Sequence, residues 1–241
     1  MNIQAQIDQT ILNFSPGCIF GYGDLPLYSK SPNAVVKAIS RLIGKNKLKR
    51  LSKGIFYRPK KGILGDIKPS DDELLRTFCF KNNQLVGYIT GASLYNRLGL
   101  TTQIPKTITI AIKGARQNKD FGTIRVKLIS SRAPVSKQNR LLLELLDALK
   151  DINQIQDAVP SQSLKILTSL IKNLTTAQQK KLVQLALQYY TASTRALLGL
   201  AFNSLNSKSS DELKTSLNPV TIYKIGLDDN QWTDAKNWNI Q

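Results

Sequence analysis

Histidine is absent from this chain of 241 residues. Without an imidazole, Ser-His-Asp and Cys-His catalysis, histidine general bases and histidine-ligated metal sites are all excluded. Cysteine is nearly absent too. Cys18 and Cys79 are too few for a zinc site, and their wide spacing reads as two buried free thiols in a reducing compartment. Long apolar runs are missing. The longest, Ala196–Phe202, is far too short to span a bilayer. The first residues, Met-Asn-Ile-Gln-Ala-Gln-Ile-Asp, lack the basic and then apolar regions of a signal peptide. A cytoplasmic protein with no membrane partner is therefore expected. Neither G-x-G-x-x-G nor G-x-x-x-x-G-K-S/T occurs, so Gly62-Ile63-Leu64-Gly65 is no phosphate-binding loop. The cluster Asp71-Asp72-Glu73 sits where a helix N-terminus favours negative charge, and capping accounts for it better than a divalent metal. Asp228, Asp229 and Asp234 lack ligand-loop spacing. No cofactor, no metal and no enzymatic activity are expected.

One absence is local. Residues 30–61 contain 11 basic residues and no acidic one, and residues 106–140 hold nine basic residues against one acidic, within a net charge of +18. The rest of the chain is close to neutral. Charge concentrated in this way points to a polyanionic partner.

Ile3, Ile7 and Ile11 recur every fourth residue and predict a short helix over residues 2–13, ended by Ser15-Pro16-Gly17. Cys18-Ile19-Phe20 is a short apolar strand, and Asp24 is placed to N-cap a brief helix at 25–28. Ser31-Pro32 opens a stronger helix, about 32–46. At roughly 100° per residue, Ala34, Val35, Val36, Ala38, Ile39, Leu42 and Ile43 fill one side of it. Asn33, Lys37, Ser40, Arg41 and Gly44 fill the other. Leu48–Arg58 then reads as a basic hairpin turning at Ser52-Lys53-Gly54, stopped by Pro59. A helix-turn-helix followed by a basic hairpin is a winged helix, whose second helix enters the major groove while the wing touches the backbone. The expected contacts follow. Ser31, Asn33, Lys37, Ser40 and Arg41 lie on the groove-facing helix, with Asn33, Lys37, Ser40 and Arg41 towards base edges. Lys30, Lys45, Lys47, Lys49, Arg50, Lys53 and Arg58 mostly meet phosphates. A disordered basic arm would lack the interleaved Val, Ile, Leu, Phe and Tyr of this block.

A second unit is expected after a linker at 62–68. Ser70-Asp71-Asp72-Glu73 fits a capping box opening a helix to about Lys81. Leu85–Thr90 reads as a strand and Ala92–Leu98 as a helix stopped by Gly99. Lys106–Lys113 and Thr123–Ser131 read as strands paired across a loop at 114–122. Ser136–Ile152, Ser161–Leu174, Thr176–Tyr190 and Thr194–Leu205 follow as helices, with Thr175 capping the third. Pro219–Tyr223, Trp232 and Trp238 give the tail enough apolar mass to dock. Lys106, Lys113, Arg116, Lys119, Arg125, Lys127 and Arg132 form either a second nucleic-acid surface or the solvated side of an edge hairpin. The fold class is α+β: a winged helix-turn-helix (1–61), then a mixed α/β domain with a helical C-terminal part (69–241).

The segments VVKAISRLIGKNKLKRLSKGIFYRPKKGILG, PSDDELLR, YITGASLYNRLGLTTQIPKTITI and the late LNPVTIYKIG, taken in order, resemble the AbiEi-like winged-helix antitoxins of type IV toxin–antitoxin and abortive-infection systems. The resemblance implies a transcriptional autorepressor that binds double-stranded DNA at inverted repeats upstream of its own operon. It places the groove-reading helix on Ser31–Lys45 and the wing on Leu48–Arg58. It also implies a C-terminal domain that counters a nucleotidyltransferase-type toxin without a required stable complex. The alternative is a toxin-neutralising interaction protein, acting on the toxin or its RNA substrate, for which DNA binding is incidental.

Overall fold

The computed structural model describes residues 3–63, 65–81, 84–114, 116–207 and 210–241. Contacts divide the chain into two units, Met1–Gln84 with Phe121–Thr123, and Leu85–Asp120 with Ile124–Gln241. The fold is α+β, as expected.

In the first unit, α1 (Ile3–Leu12) and α2 (Pro32–Gly44) pack their apolar sides together over a small sheet. Ile7 and Ile11 of α1 and Val35, Ala38, Ile39 and Leu42 of α2 are buried. The sheet orders β1 (Ile19–Gly21), β3 (Ile55–Tyr57) and β2 (Lys49–Ser52) as 1-3-2, antiparallel throughout. Phe20 pairs with Phe56 and Phe56 with Arg50, which brings both phenylalanines into the same core. Pro32 at the first helical position starts α2 without a side-chain cap from Ser31.

Two expectations fail in this unit. No helix forms at 25–28. A 3-10 turn, Tyr22–Asp24, comes first, and the Asp24 carboxylate reaches back to accept from the Gly21 N–H at 2.7 Å. The cap is thus used one turn earlier than expected. The 62–68 segment is not a plain linker either. It holds a second small hairpin, β4 (Lys60–Gly62) with β5 (Gly65–Ile67), tied by Asp66 to Lys49 and Lys61. The division falls after Gln84 because α3 (Asp71–Cys79) packs beside β1 in the first unit, with Glu73 accepting the Ile19 N–H at 3.1 Å. Ser70 caps α3, accepting from the Glu73 N–H, but the expected capping box is only half made: the Glu73 carboxylate accepts from the Ile19 N–H and from Arg76 instead of reaching back to Ser70. Phe121 lies against Phe78, and Thr123 donates to Asp71. Cys18 and Cys79 are both free thiols. Cys79 is buried and Cys18 half-buried.

Two short strands follow α3, β6 (Phe80–Lys81) and β7 (Gln84–Leu85). The second unit then carries β8 (Gly87–Thr90), α4 (Ala92–Arg97), β9 (Thr107–Ile112), β10 (Gln117–Asp120) and β11 (Arg125–Ser130). The sheet order is β10-β11-β9-β8. The expected partners, β9 and β11, do pair, but in parallel. The expected loop supplies the missing strand: β10 pairs antiparallel with β11, so the chain reverses twice between β9 and β11. The polar sequence Gln117-Asn118-Lys119-Asp120 gives no alternating apolar signal for an edge strand, which is why it read as loop.

α5 (Arg140–Lys150), α6 (Pro160–Lys172), α7 (Thr176–Tyr189) and α8 (Ala192–Ser204) share one large core with the sheet. Thr175 and Gln178 complete a reciprocal capping box on α7. After α9 (Ser210–Thr215) the tail docks. Tyr223 bridges to Ile240, and the Trp232 indole donates to the Ser161 carbonyl at 3.3 Å. Trp238 lies flat on Gly199 of α8, so close that a Cβ there would sit 2.0 Å from the ring. Gly199 is therefore fixed by packing, inside a helix where glycine otherwise costs about 1 kcal/mol. Among the described residues, no helix is long and apolar enough to cross a membrane.

Candidate nucleic-acid interface and polar cleft

The basic block of the first unit spreads over α2 and the β2–β3 hairpin. Asn33, Lys37, Ser40 and Arg41 are all exposed on α2, opposite its buried Val35, Ala38, Ile39 and Leu42. The 3.6-residue period places them on one side, as expected. Val36, expected on the apolar side, is 40% exposed. Ser31 is half-buried at the helix start. Lys30, Lys45, Lys47, Arg50 and Lys53 are exposed around this helix and on the hairpin.

Four of the expected contact residues already have work within the unit. Arg58 turns inward and donates from Nη1 to the carbonyls of Leu12 and Phe14, both at 3.0 Å, capping the C-terminal end of α1. Lys49 pairs with Asp66 at 2.9 Å. The Lys49 hydrogen bond holds the Asp66 carboxyl below its usual range. Arg41 donates to the Gln4 side chain of α1. Arg50 lies over the Phe56 ring at 5.9 Å.

The acidic cluster at 71–73 is structural in its contacts. Burial works against the Glu73 charge, but its bonds from Arg76 and from the Ile19 N–H outweigh that and hold its carboxyl below the ordinary value. Among the described residues, no group of three or more His, Cys, Asp or Glu is arranged to hold a metal ion.

The second basic segment is divided by the sheet. Arg116, Lys127 and Arg132 meet at one cleft of about 710 Å³. Lys119, Arg125 and Lys127 line a neighbouring hollow of about 560 Å³ on β9, β10 and β11, where Arg125 pairs with Asp120 at 3.2 Å. Lys106 and Lys113 are exposed and line neither.

The cleft is built from register. Tyr88 stands beside Ala111 and Thr90 beside Thr109, while Thr109 in turn stands beside Lys127 and Ala111 beside Ile129. Because alternate residues share a face, these side chains form the floor. Ser130, Ser131 and Arg132 form one wall, and Asp147, Lys150, Asp151 and Gln154 form the other. Gly91 lets β8 turn into α4 here. Its φ is +68°, and an added Cβ would lie 3.3 Å from Thr109.

Asp147 was not anticipated, and it is the chemical centre of this wall. Its Oδ2 accepts from the Tyr88 hydroxyl at 2.9 Å and the Thr90 hydroxyl at 2.8 Å, and its Oδ1 from the Tyr190 hydroxyl at 2.9 Å. Burial pushes this carboxyl above its ordinary range, and the three hydroxyls, which favour the charged form, offset that only in part. Burial and the adjacent carboxylate push Tyr88 and Tyr190 up as well, so both remain protonated donors at neutral pH. Beside it, Tyr95 donates to Asp151 at 2.6 Å, and Lys150 pairs with Asp151. One turn earlier on α5, buried Glu144 is clamped by Arg97 and Arg140, both at 2.9 Å. The available signal was two carboxylates inside the run Leu-Leu-Glu-Leu-Leu-Asp-Ala-Leu, on a helix face that otherwise reads as core.

These features define a class: an α+β chain with an exposed basic helix and hairpin in one unit and a polar cleft over a mixed sheet in the other. The chain belongs to a family of unknown function, DUF6088, whose family model matches residues 6–182. The match includes the basic helix, the hairpin and every residue lining the cleft. Among solved structures, the RV2827C protein from Mycobacterium tuberculosis is similar in fold, with a TM-score of 0.51 over 94% of this chain and 86% of that chain, at 13% sequence identity. No curated protein matches the chain.

Proposed function

We propose that the protein is a DNA-binding transcriptional repressor of the antitoxin type, with the first unit acting as a winged helix. One observation carries the reading. The outer face of α2 presents Asn33, Lys37, Ser40 and Arg41 to solvent, beside a basic hairpin, within a stretch that contains no acidic residue. Arg and Asn are the side chains best matched to guanine and adenine edges in the major groove. The exposed basic residues around that face suit a phosphate backbone on either side.

In this reading α2 enters the major groove and the β2–β3 turn at Lys53 and Gly54 touches the backbone. Lys30, Lys45, Lys47, Arg50 and Lys53 supply the phosphate contacts. Lys49 and Arg58 serve mainly to hold the unit together, given their bonds to Asp66 and to the α1 carbonyls. The reading gives the chain no catalytic residue. Its antitoxin part extends the likeness of the sequence to AbiEi-like proteins, with a nucleotidyltransferase-type toxin as the implied counterpart.

The test is a mobility-shift titration on the intergenic DNA upstream of the gene, at two salt concentrations and against scrambled competitor. A competitor-resistant shift is expected, weakening steeply with salt. Lys37→Ala with Arg41→Ala removes it while circular dichroism stays unchanged. A double variant that shifts the same DNA at wild-type affinity overturns the assignment of α2.

A further inference from the structure

We propose that the cleft beside Asp147 binds a phosphorylated sugar, either free or as the ribose phosphate of a nucleotide. This inference is independent of the DNA-binding reading, since every residue it uses lies in the second unit.

The first support is the placement of charge. Arg116 ahead of β10, Lys127 on β11, Arg132 after β11 and Lys150 on α5 come from separate segments and open onto one cleft. Lys150 is paired with Asp151. Among the described residues, none forms an ion pair with Arg116, Lys127 or Arg132. Three cations with no ion-pair partner at one cleft attract an anion, even with Asp147 and Asp151 in the same lining, and a guanidinium meets phosphate with two parallel hydrogen bonds.

The second support is size. A cavity of about 710 Å³ exceeds what one phosphate fills and lies within the usual range for small-molecule sites, about 300–1,000 Å³.

The third is the rest of the lining. Thr109, Ser130 and Gln154 can both donate and accept, Ser131 donates to the Ala133 carbonyl at 2.7 Å and offers a ligand only an acceptor, and the Asp151 carboxylate can only accept when charged. A carboxylate beside a cationic patch repels phosphate but accepts from hydroxyls, so the pair selects a ligand carrying both groups. Tyr88 is the single aromatic residue of the lining, and its hydroxyl is already committed to Asp147. No pair of rings is present in that lining to sandwich a base, so recognition falls on the sugar phosphate. Asp147, held by three hydroxyls, keeps the floor and the α5 wall at a fixed separation, which lowers the ordering cost of binding.

The test is calorimetric titration of the full chain with AMP, ribose 5-phosphate, inorganic phosphate and a short single-stranded RNA. AMP and ribose 5-phosphate are expected to bind with comparable affinity, and both more tightly than inorganic phosphate. Lys127→Ala with Arg132→Ala should weaken both by about ten- to a hundredfold. Both residues are exposed, so the fold should survive, as circular dichroism checks. Lys106→Ala, outside the cleft, should change nothing. The proposal is overturned if no sugar phosphate binds, if inorganic phosphate binds as tightly, or if the double variant keeps wild-type affinity. Binding of AMP without ribose 5-phosphate would make the base the determinant and overturn it too. So would RNA binding more tightly than AMP through the same two residues, which would make the cleft an RNA track.

Discussion

The two units treat charge in opposite ways. The first unit encloses an apolar core of Ile7, Phe20, Val35, Ile39, Leu48 and Phe56, and leaves the charges of α2 and its hairpin outside. The second draws Glu144 and Asp147 into the middle of its core, each at 5% exposure, and surrounds them with partners. Charges outside a core are replaceable as far as folding is concerned, because water solvates them in either state. Charges inside a core are not. Removing one leaves its former partners buried and unpaired, at a cost that exceeds what the interaction contributed. The contrast separates residues available to a ligand from residues the fold itself consumes.

The strongest way to break this contrast is Asp147→Ala. Three buried hydroxyls lose their acceptor, and the second unit should lose about 3 kcal/mol or more in denaturant unfolding. A loss below about 1 kcal/mol would mean that the carboxylate is not the keystone its contacts indicate. Next in size is Gly199→Ala. With the Trp238 ring 2.0 Å from the new methyl, overpacking should cost about 1–3 kcal/mol. Freed tail residues should then show increased proteolysis.

A smaller effect separates the two units by pH. Glu73 is held below its ordinary value, so its contribution is present above the ordinary value and is lost as pH falls from there through the lower folded value. Glu73→Gln should therefore flatten the loss of stability of the first unit on acidification. Asp147 is raised, so its sign is reversed: its contribution is present below the ordinary carboxylate range and fades as pH rises through the folded value. Asp147→Asn should remove that decline in the second unit. Identical pH slopes for the two variants would refute the opposed shifts. The smallest effect belongs to Lys37→Ala with Arg41→Ala, which should move stability by no more than about 0.5 kcal/mol while abolishing the DNA shift. A large loss of stability there would show that the outer face of α2 is structural.

Much of the first unit was legible in the sequence because its signals are local. Ser31-Pro32 starts α2, the apolar period of 34–43 gives its buried side, and Gly54, with φ +75°, turns the hairpin. What escaped was set by distant partners. Nothing near Lys60 or Ile67 announces that they pair, since the hairpin is anchored by Asp66 reaching Lys49. The parallel pairing of β9 with β11 was hidden because the intervening β10 is polar throughout. The cleft was only partly visible. Arg116, Lys127 and Arg132 stand out in the sequence as basic, but as members of an open surface. Their convergence depends on strand register, and Asp147 meets partners 43, 57 and 59 residues away in sequence. No spacing rule within one segment reaches that far.

The docked tail gives the molecule a built-in reporter. Both tryptophans of the chain, Trp232 and Trp238, are buried in the second unit. The first unit has phenylalanine and tyrosine in and around its core but no indole. Selective indole excitation thus follows the second unit alone, while tyrosine emission and far-ultraviolet dichroism see both. A melting step visible by dichroism and silent in tryptophan emission belongs to the basic unit, so DNA added to the sample should move that step and leave the indole signal where it was.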